Sequence, residues 1–172
     1  MPLSQTTLHL ADEDATTRLG AALAQAIEHQ RAAILARGLV IGLTGDLGAG
    51  KTSLVRATLR ALGVTGPVKS PTFALLEPYV VSSLDFYHFD FYRFADPQEF
   101  EAAGFRELFG PGAVCAIEWP ERAAGLPTPD LALTLRVQDE GRRVDIVAHS
   151  ELGVACLTEA IIRWQTPTAA AG

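Results

Sequence analysis

The segment Gly45–Thr52, with the sequence GDLGAGKT, constrains this chain more than any other. It fits the phosphate-binding loop pattern G-x-x-x-x-G-K-[S/T] at every required position. Glycines let the backbone turn around an anion, so that consecutive N–H groups point at phosphate oxygens. In this pattern Lys51 reaches the β- and γ-phosphates, and the Thr52 hydroxyl can ligate Mg²⁺. The segment therefore predicts a nucleotide site formed by Gly45, Asp46, Leu47, Gly48, Ala49, Gly50, Lys51 and Thr52.

The residues on either side of this loop fit the structural context that it needs. Leu39–Leu43 is a short apolar run of the kind that forms a buried strand. After the loop, Val55, Leu59 and Leu62 recur at helical spacing until Gly63 ends the pattern. The alternative is a glycine-rich turn that binds nothing, but such a turn would not need a Gly-Lys-Thr ending.

Composition indicates one ordinary globular domain. The 172 residues are 48% hydrophobic and 20% charged, which suits a chain with a substantial core. We expect a single domain over residues 1–164 and a flexible tail over residues 165–172.

Other features predict a cytoplasmic protein. No apolar run approaches the roughly 18 residues of a membrane span, and Met1–Gln5 lacks the regions of a signal peptide. Cys115 and Cys156 are too few for a disulfide framework. The formal net charge is −6, whereas proteins that grip nucleic acid by themselves usually carry a basic surface. Any nucleic acid is therefore expected to be held by a partner.

The remaining pattern predicts the order of helices and strands. We expect a strand at Thr6–Leu10, a helix from an acidic first turn at Asp12 to about Arg37, a strand at Phe73–Val81, a short helix between Asp96 and Ala103, a hairpin of Leu131–Val137 with Arg143–Ala148 across a four- or five-residue loop, and a last helix capped by Ser150.

The segment Gly66–Thr72 has two prolines, which rule out regular structure. In phosphate-loop proteins a segment at this distance often holds a Thr or Ser near the γ-phosphate and moves on hydrolysis. An ordinary connection from helix to strand is an equally good interpretation of these residues.

Two acidic residues are candidates for the chemistry, and the first of them is Asp90. Alternation along Leu84–Arg93 places His88 and Asp90 on one face, and the aromatic residues Tyr87, Phe89 and Phe91 on the other. Asp90 could orient water or support a metal, or it could form an ion pair with Arg93. His88 is expected to be a hydrogen-bonded structural histidine.

Glu118 follows the apolar run Ala113–Ile117, which is of buried-strand type. Ligands gather beyond the carboxyl ends of strands in open α/β sheets, so this acid can ligate Mg²⁺ directly or through water. Trp119 beside it could serve either packing or function.

Together these segments resemble the TsaE family, also called YjeE, of small bacterial P-loop ATPases. The resemblance is carried by Gly45–Thr52, Val68–Thr72, His88–Pro97 and Ile117–Pro120, and it spans about residues 10 to 143. It implies an α/β fold, a three-layer P-loop NTPase-like sandwich with a mixed, mostly parallel central sheet. It also implies ATP or ADP and Mg²⁺ as cofactors.

The resemblance assigns roles to individual residues. It implies Lys51, Asp90 and Thr72 as catalytic residues, and Thr52 and Glu118 as metal ligands. It further implies nucleotide contacts from Asp12 and Arg142. Asp12 could instead be a plain helix cap, and Arg143 could take the place of Arg142.

The family resemblance also implies partners and a task. Its members act with the TsaB–TsaD pair in threonylcarbamoyl modification of the adenosine beside the anticodon, in tRNAs that read codons beginning with adenine. The implied role is weak, partner-dependent ATP hydrolysis that resets the complex, with tRNA touched only through the partners. A small-molecule kinase is the first alternative, although no arginine-rich lid is visible. A nucleotide-gated binding module is the second, and the acids Asp90 and Glu118 argue against it.

Overall fold

The computed structural model describes residues 1–166. The strands in this part of the chain are β1 (Ser4–Leu10), β2 (Leu39–Thr44), β3 (Leu76–Val81), β4 (Leu84–Asp90), β5 (Ala113–Glu118), β6 (Leu131–Gln138) and β7 (Gly141–Ala148). The helices are α1 (Glu13–His29), α2 (Arg31–Arg37), α3 (Lys51–Ala61), α4 (Glu99–Ala102) and α5 (Glu151–Gln165), with short 3₁₀ turns at Phe105–Leu108 and Pro120–Arg122. No helix within residues 1–166 is both long enough and apolar enough to cross a bilayer. Of the predicted tail, all but residues 165 and 166 lies outside the described part.

All the described strands join one sheet in the order β1-β7-β6-β2-β5-β4-β3. Strand β2 pairs in parallel with β5 and β6, and β4 pairs in parallel with β5. The pairings of β1 with β7, β6 with β7 and β3 with β4 are antiparallel. The sheet is therefore mixed, as predicted, and its parallel part is the centre formed by β6, β2, β5 and β4.

Each face of the sheet carries its own core, which gives the predicted three-layer arrangement. Helices α1, α3 and α5 cover one face, where Leu84 and Phe86 of β4 belong to the larger core. The other face carries a smaller aromatic core that includes Phe89, Phe91 and Phe100, the last from α4. The alternation predicted for β4 is thus confirmed, since neighbouring residues enter different cores.

The predicted first helix is in fact two helices. The chain bends at Gln30, so α1 ends at His29 and α2 begins at Arg31. The bend directs α2 toward the sheet, where the Ile34 carbonyl accepts a hydrogen bond from Gly112 N–H and Arg37 donates to Asp130 at 3.0 Å. These contacts join residues far apart in sequence, which helical periodicity does not report.

The strand predicted to begin at Phe73 begins at Leu76 instead. The Pro71 carbonyl accepts a hydrogen bond from Leu75 N–H at 2.7 Å, and Leu75 has a φ of +67°. This closed turn holds Thr72 and Phe73 out of the sheet.

The predicted length of the loop between β6 and β7, four or five residues, is also wrong. Gln138 pairs with Gly141, so the turn contains two residues and Asp139 takes a φ of +53°. Glycine is required at this first position of β7, because a Cβ on Gly141 would collide with the Leu10 carbonyl of β1.

The short helix is later than predicted, although its capping contacts are present. Helix α4 begins at Glu99 rather than beside Asp96. The Asp96 carboxylate accepts from Gln98 N–H at 2.9 Å, and the Glu99 carboxylate accepts from Asp96 N–H at 3.1 Å. This reciprocal pair closes a turn before regular helical geometry starts.

Candidate nucleotide-binding site

The parallel centre of the sheet brings the loop and both acids to one edge. Glu118 is paired with Leu43 at the end of β2 and with Asp90 at the end of β4. The loop begins at Gly45, directly after β2. Because parallel strands end at the same edge, three separate segments of the chain meet there.

Glycines give the loop the backbone that it needs. Gly48 and Gly50 have φ values of +79° and +106°, a region that other residues rarely adopt. A Cβ at Gly45 would collide with the carbonyl of Leu135 in β6. The loop then leads directly into α3, whose positive N-terminal end faces the space that the loop encloses.

A cavity of about 300 Å³ lies beside the loop. The predicted residues around it are Leu47, Gly48, Gly50, Lys51, Thr52, Thr72, Asp90, Glu118 and Arg142, and the further ones are Ser53, Ser70, Tyr92 and Trp119. The structure therefore brings together at one cavity most of the residues proposed from sequence.

Lys51 is turned back onto its own loop. Its Nζ donates to the carbonyl oxygens of Gly45 and Asp46, the latter at 3.0 Å, and lies 4.4 Å from the centre of the Trp119 ring. The side chain is only 4% exposed. Burial lowers the pKa of Lys51, and the negative charge of Glu118 acts in the opposite direction. The ammonium is thus held by neutral carbonyls that an anion can replace.

Thr52 and Glu118 form a small oxygen-rich group. Thr52 Oγ1 lies 2.9 Å from each carboxylate oxygen of Glu118, and the carboxylate is buried. Within residues 1–166 no group of three or more His, Cys, Asp or Glu side chains is arranged to hold a metal. One hydroxyl and one carboxylate fit Mg²⁺, which usually completes its shell with water and substrate phosphates.

Asp90 lies in a chain of short polar contacts. Its carboxylate accepts hydrogen bonds from Tyr92 N–H at 2.9 Å and from the Thr72 hydroxyl at 3.3 Å. Thr72 Oγ1 is in turn 2.8 Å from Ser70 Oγ. Burial raises the pKa of Asp90, and the nearby charge of Glu118 raises it further. The carboxylate is therefore more basic than an ordinary aspartate.

The ion pair of Asp90 with Arg93, which was one interpretation of the sequence, does not form. The Arg93 guanidinium instead lies 4.1 Å from the centre of the Phe73 ring. Phe73 is 83% exposed, so this stacked pair lies on the surface. Asp90 is left with hydrogen bonds to neutral groups, which is consistent with the direction of its pKa shift.

Of the two candidate arginines, Arg142 reaches the loop. Its Nε and Nη2 donate to the carbonyls of Ala49 and Gly48 at 3.1 and 3.2 Å. Arg143 donates to Asp145 at 3.1 Å instead. Alternation along β7 explains this difference, because consecutive side chains point to opposite faces.

A second cavity, of about 900 Å³, adjoins the first and shares Gly50, Ser53 and Arg142 with it. Asp12 lies in its wall. The Asp12 carboxylate also caps α1 by accepting from Ala15 N–H at 2.8 Å. The helix-cap interpretation of Asp12 is thus correct, and its position is compatible with a ligand contact as well.

Some residues at the site were not predicted from sequence. Trp119 was left undecided, and it takes a φ of +59° that turns the chain directly after β5. Tyr92 lies 5.0 Å from Trp119, centre to centre. Both residues directly follow the end of a strand or lie just beyond it, and this was the sequence feature that could have identified them. Aromatic side chains at such positions, however, are packing residues as often as ligand contacts.

Comparisons with known proteins agree with this geometry. The model of the family described as "Threonylcarbamoyl adenosine biosynthesis protein TsaE" matches residues 10–144. The tRNA threonylcarbamoyladenosine biosynthesis protein TsaE of Haemophilus influenzae is 39% identical over 150 residues, which are 86% of this chain and 92% of that protein. The protein of the same name from a Nostoc species is 38% identical over 143 residues, covering 80% and 82% of the two chains.

A solved structure supports the fold. The crystal structure of YdiB from Bacillus subtilis matches with a TM-score of 0.65 and 24% identity, over 92% of this chain and 95% of that one. This likeness bears on the fold alone, whereas the family model and the relatives bear on descent. Because the model covers most of the chain and the relatives exceed 30% identity over most of its length, the chain belongs to the TsaE family.

Proposed function

We propose that this chain binds and slowly hydrolyses ATP, and that it serves threonylcarbamoyladenosine formation in tRNA together with the TsaB–TsaD pair. The main support is that Lys51, Thr52, Asp90 and Glu118 all line one cavity at the carboxyl edge of the parallel strands. The names of its relatives supply the process. In this proposal the hydrolysis resets the partner complex rather than making the modified base.

The two adjoining cavities suit the two ends of a nucleotide. The phosphates would lie in the smaller cavity, where Lys51 exchanges its loop carbonyls for phosphate oxygens. The nucleoside would lie in the larger one, between Asp12 and Arg142. Arg142 borders both cavities, so it can contact the ligand near the junction of its two halves.

Thr52 and Glu118 are the residues that would hold Mg²⁺ beside the phosphates. When bound, the ion would neutralise phosphate charge. Thr52 would turn its hydroxyl oxygen away from Glu118, and Glu118 would supply a carboxylate oxygen. Both residues sit at fixed element ends, Thr52 in the first turn of α3 and Glu118 at the last position of β5.

Asp90 and Thr72 would act on the attacking water. The raised pKa of Asp90 makes its carboxylate a better acceptor for a water proton. In the free protein that carboxylate accepts from the Thr72 hydroxyl, so the segment around Thr72 occupies the position that water needs. Movement of Lys69–Thr72 on partner docking would free Asp90 and place Thr72 near the γ-phosphate. Slow turnover by the isolated protein follows from this arrangement.

The charge of the chain fits an indirect relation to RNA. Its net charge is −6, and phosphate contacts normally demand the opposite sign. The tRNA would therefore be held by the partners. As parts of the same proposal, residues 1–164 form one ATPase domain and the protein works in the cytoplasm.

Steady-state phosphate release tests the proposal, measured for the purified chain alone and with TsaB and TsaD. We expect at least a tenfold stimulation by the pair, because freeing Asp90 would restore a positioned general base, and such a group typically contributes roughly 10²–10⁴ in rate. Thr72→Ala should remove the stimulation. The matched control is Thr65→Ala, since Thr65 is exposed in the same connection and lines neither cavity. Fast turnover alone, with phosphate delivered to a small metabolite, would indicate a kinase instead.

A further inference from the structure

We infer that His88 is a positioning residue, which holds one carboxylate oxygen of Glu118 so that the other faces the position of the metal beside Thr52. This inference rests on the proposed function. It adds a residue to which neither the phosphate-binding loop pattern nor the comparisons give a role. Its basis is a short buried contact, since His88 Nε2 lies 2.6 Å from Oε2 of Glu118. Both side chains are buried, at 0% and 3% exposure.

The sheet register explains why these two side chains meet. In the parallel pair of β4 and β5, His88 is opposite Ala116. Glu118 is two residues further along β5, so it points to the same face as Ala116 and is the diagonal neighbour of His88. Asp90 and Glu118 are opposite each other one step nearer the edge. His88 therefore lies directly beneath the pair of acids, on the side away from the cavity mouth.

The hydrogen-bond roles at this contact follow from the chemistry of the groups. An ionised carboxylate can only accept, so Nε2 of His88 carries the hydrogen and donates it. Among the described residues the other ring nitrogen, Nδ1, has no hydrogen-bond partner. The ring is thus anchored at one nitrogen, and Glu118 is the anchor.

The free Nδ1 also argues against a purely structural histidine. Buried polar atoms are normally paired, and an apolar side chain at this position would leave none unpaired. Within residues 1–166, the one polar contact that the ring makes is with the proposed metal ligand. A donor behind a ligating carboxylate fixes its orientation, and such supporting contacts typically matter 10–100-fold for metal affinity.

The contact with His88 gives the two carboxylate oxygens of Glu118 different roles. Oε2 accepts from His88, and both oxygens lie 2.9 Å from Thr52 Oγ1. Once Thr52 turns its oxygen toward a metal, His88 is the donor that still keeps the carboxylate from rotating. Oε1 then remains available on the cavity side.

The test compares ADP affinity in EDTA with ADP affinity in Mg²⁺, by calorimetry, for the wild-type protein and two variants. The ratio of the ADP affinity in Mg²⁺ to that in EDTA is the Mg²⁺ gain. His88→Leu should keep its ADP affinity in EDTA within about twofold of wild type, and its Mg²⁺ gain should fall roughly tenfold. His88→Gln should recover part of that gain, because its amide N–H can reach the same oxygen. His29→Leu is the matched control, since His29 is exposed at the end of α1 and lines neither cavity.

A second readout does not need nucleotide. In the free protein, the imidazole Nε2–H signal of His88 in nitrogen-15 NMR should shift strongly in Glu118→Gln. If His88→Leu does not fold, this signal and the His88→Gln affinities decide the matter. In the combined variant His88→Leu with Glu118→Gln, the loss of Mg²⁺ gain should not exceed that of Glu118→Gln alone, since the two residues act as a unit.

The outcomes separate this inference from the proposed function. A full Mg²⁺ gain in His88→Leu, or an equal loss in EDTA and in Mg²⁺, would overturn the positioning role and leave the function standing. Absence of ADP binding by the wild-type protein would overturn both.

Discussion

Replacing Lys51 with methionine should weaken ADP binding by about 30- to 150-fold. The ammonium that the substitution removes is the single positive charge in Gly45–Thr52. In the free protein this ammonium donates to the carbonyls of Gly45 and Asp46 and lies against Trp119. Methionine keeps most of the apolar stem, so the change isolates the charge from the packing.

The magnitude follows from exchanging one pair of contacts for another. The hydrogen bonds of an ammonium are worth about 1.5–3 kcal/mol each. The two to phosphate oxygens, where both partners are charged, lie at the upper end of that range, and the two to neutral loop carbonyls that must break lie at the lower end. The difference is about 2–3 kcal/mol, and each 1.4 kcal/mol is tenfold in affinity. Burial, which lowers the pKa of Lys51, favours anion binding further, because a bound anion relieves the cost of burying an unpaired charge. The loss of affinity on removing the ammonium is thereby increased.

Calorimetry with ADP, at fixed pH and ionic strength, measures this loss directly. Lys69→Met is the matched control, because Lys69 is the other lysine of the chain and lies exposed in the Gly66–Thr72 segment. It removes the same charge and should change the affinity by less than threefold. Equal affinities for Lys51→Met and Lys69→Met would show that the loop does not hold phosphate through Lys51.

Three further outcomes are expected. Asp90→Asn should slow partner-stimulated hydrolysis by about 10²-fold. It should also raise the Tm at pH 7, because the raised pKa of Asp90 means that its ionised form destabilises the folded protein. Thermal melts across pH should show this increase in Tm shrink as the pH falls through the folded-state pKa toward 3.8. Arg142→Ala should weaken ADP binding roughly tenfold, the worth of one charge-assisted bond, whereas Arg143→Ala should not, and equal effects in calorimetry would contradict the geometry of β7. Cys115 and Cys156 are buried with thiol pKa values raised to about 12, so a thiol reagent at pH 8 should label them only after denaturant is added.

Local features of the sequence were enough to predict the phosphate-binding loop and its surroundings. The glycines that need unusual φ values, the strand before them and the helix after them all lie within about 25 residues. The carboxyl end of β5 was also predictable, because Glu118 directly follows the buried apolar run Ala113–Ile117, and ligands gather beyond such ends. That Asp90 lies opposite Glu118, however, depends on the register of β4 with β5.

Features that depend on pairing between distant segments were not predictable. The turn at Leu75 needs a carbonyl of Pro71 and a positive φ, and no local pattern demanded either. The choice of Arg142 over Arg143 depends on which face of β7 adjoins the loop, which only the register with β1 and β6 decides. The contact of His88 with Glu118 likewise depends on the register of β4 with β5, across 30 positions of sequence.

The proposed role of this chain is to reset the TsaB–TsaD pair and not to make the modified base. It is tested most directly by counting modified tRNA molecules per pair in a reconstituted reaction with tRNA, a threonylcarbamoyl donor and ATP. Without the chain, or with Lys51→Met, we expect product to stop near one modification per pair, and with the wild-type chain to continue through many turnovers. A first turnover that itself requires the chain, or a product count that does not depend on it, would refute the resetting role.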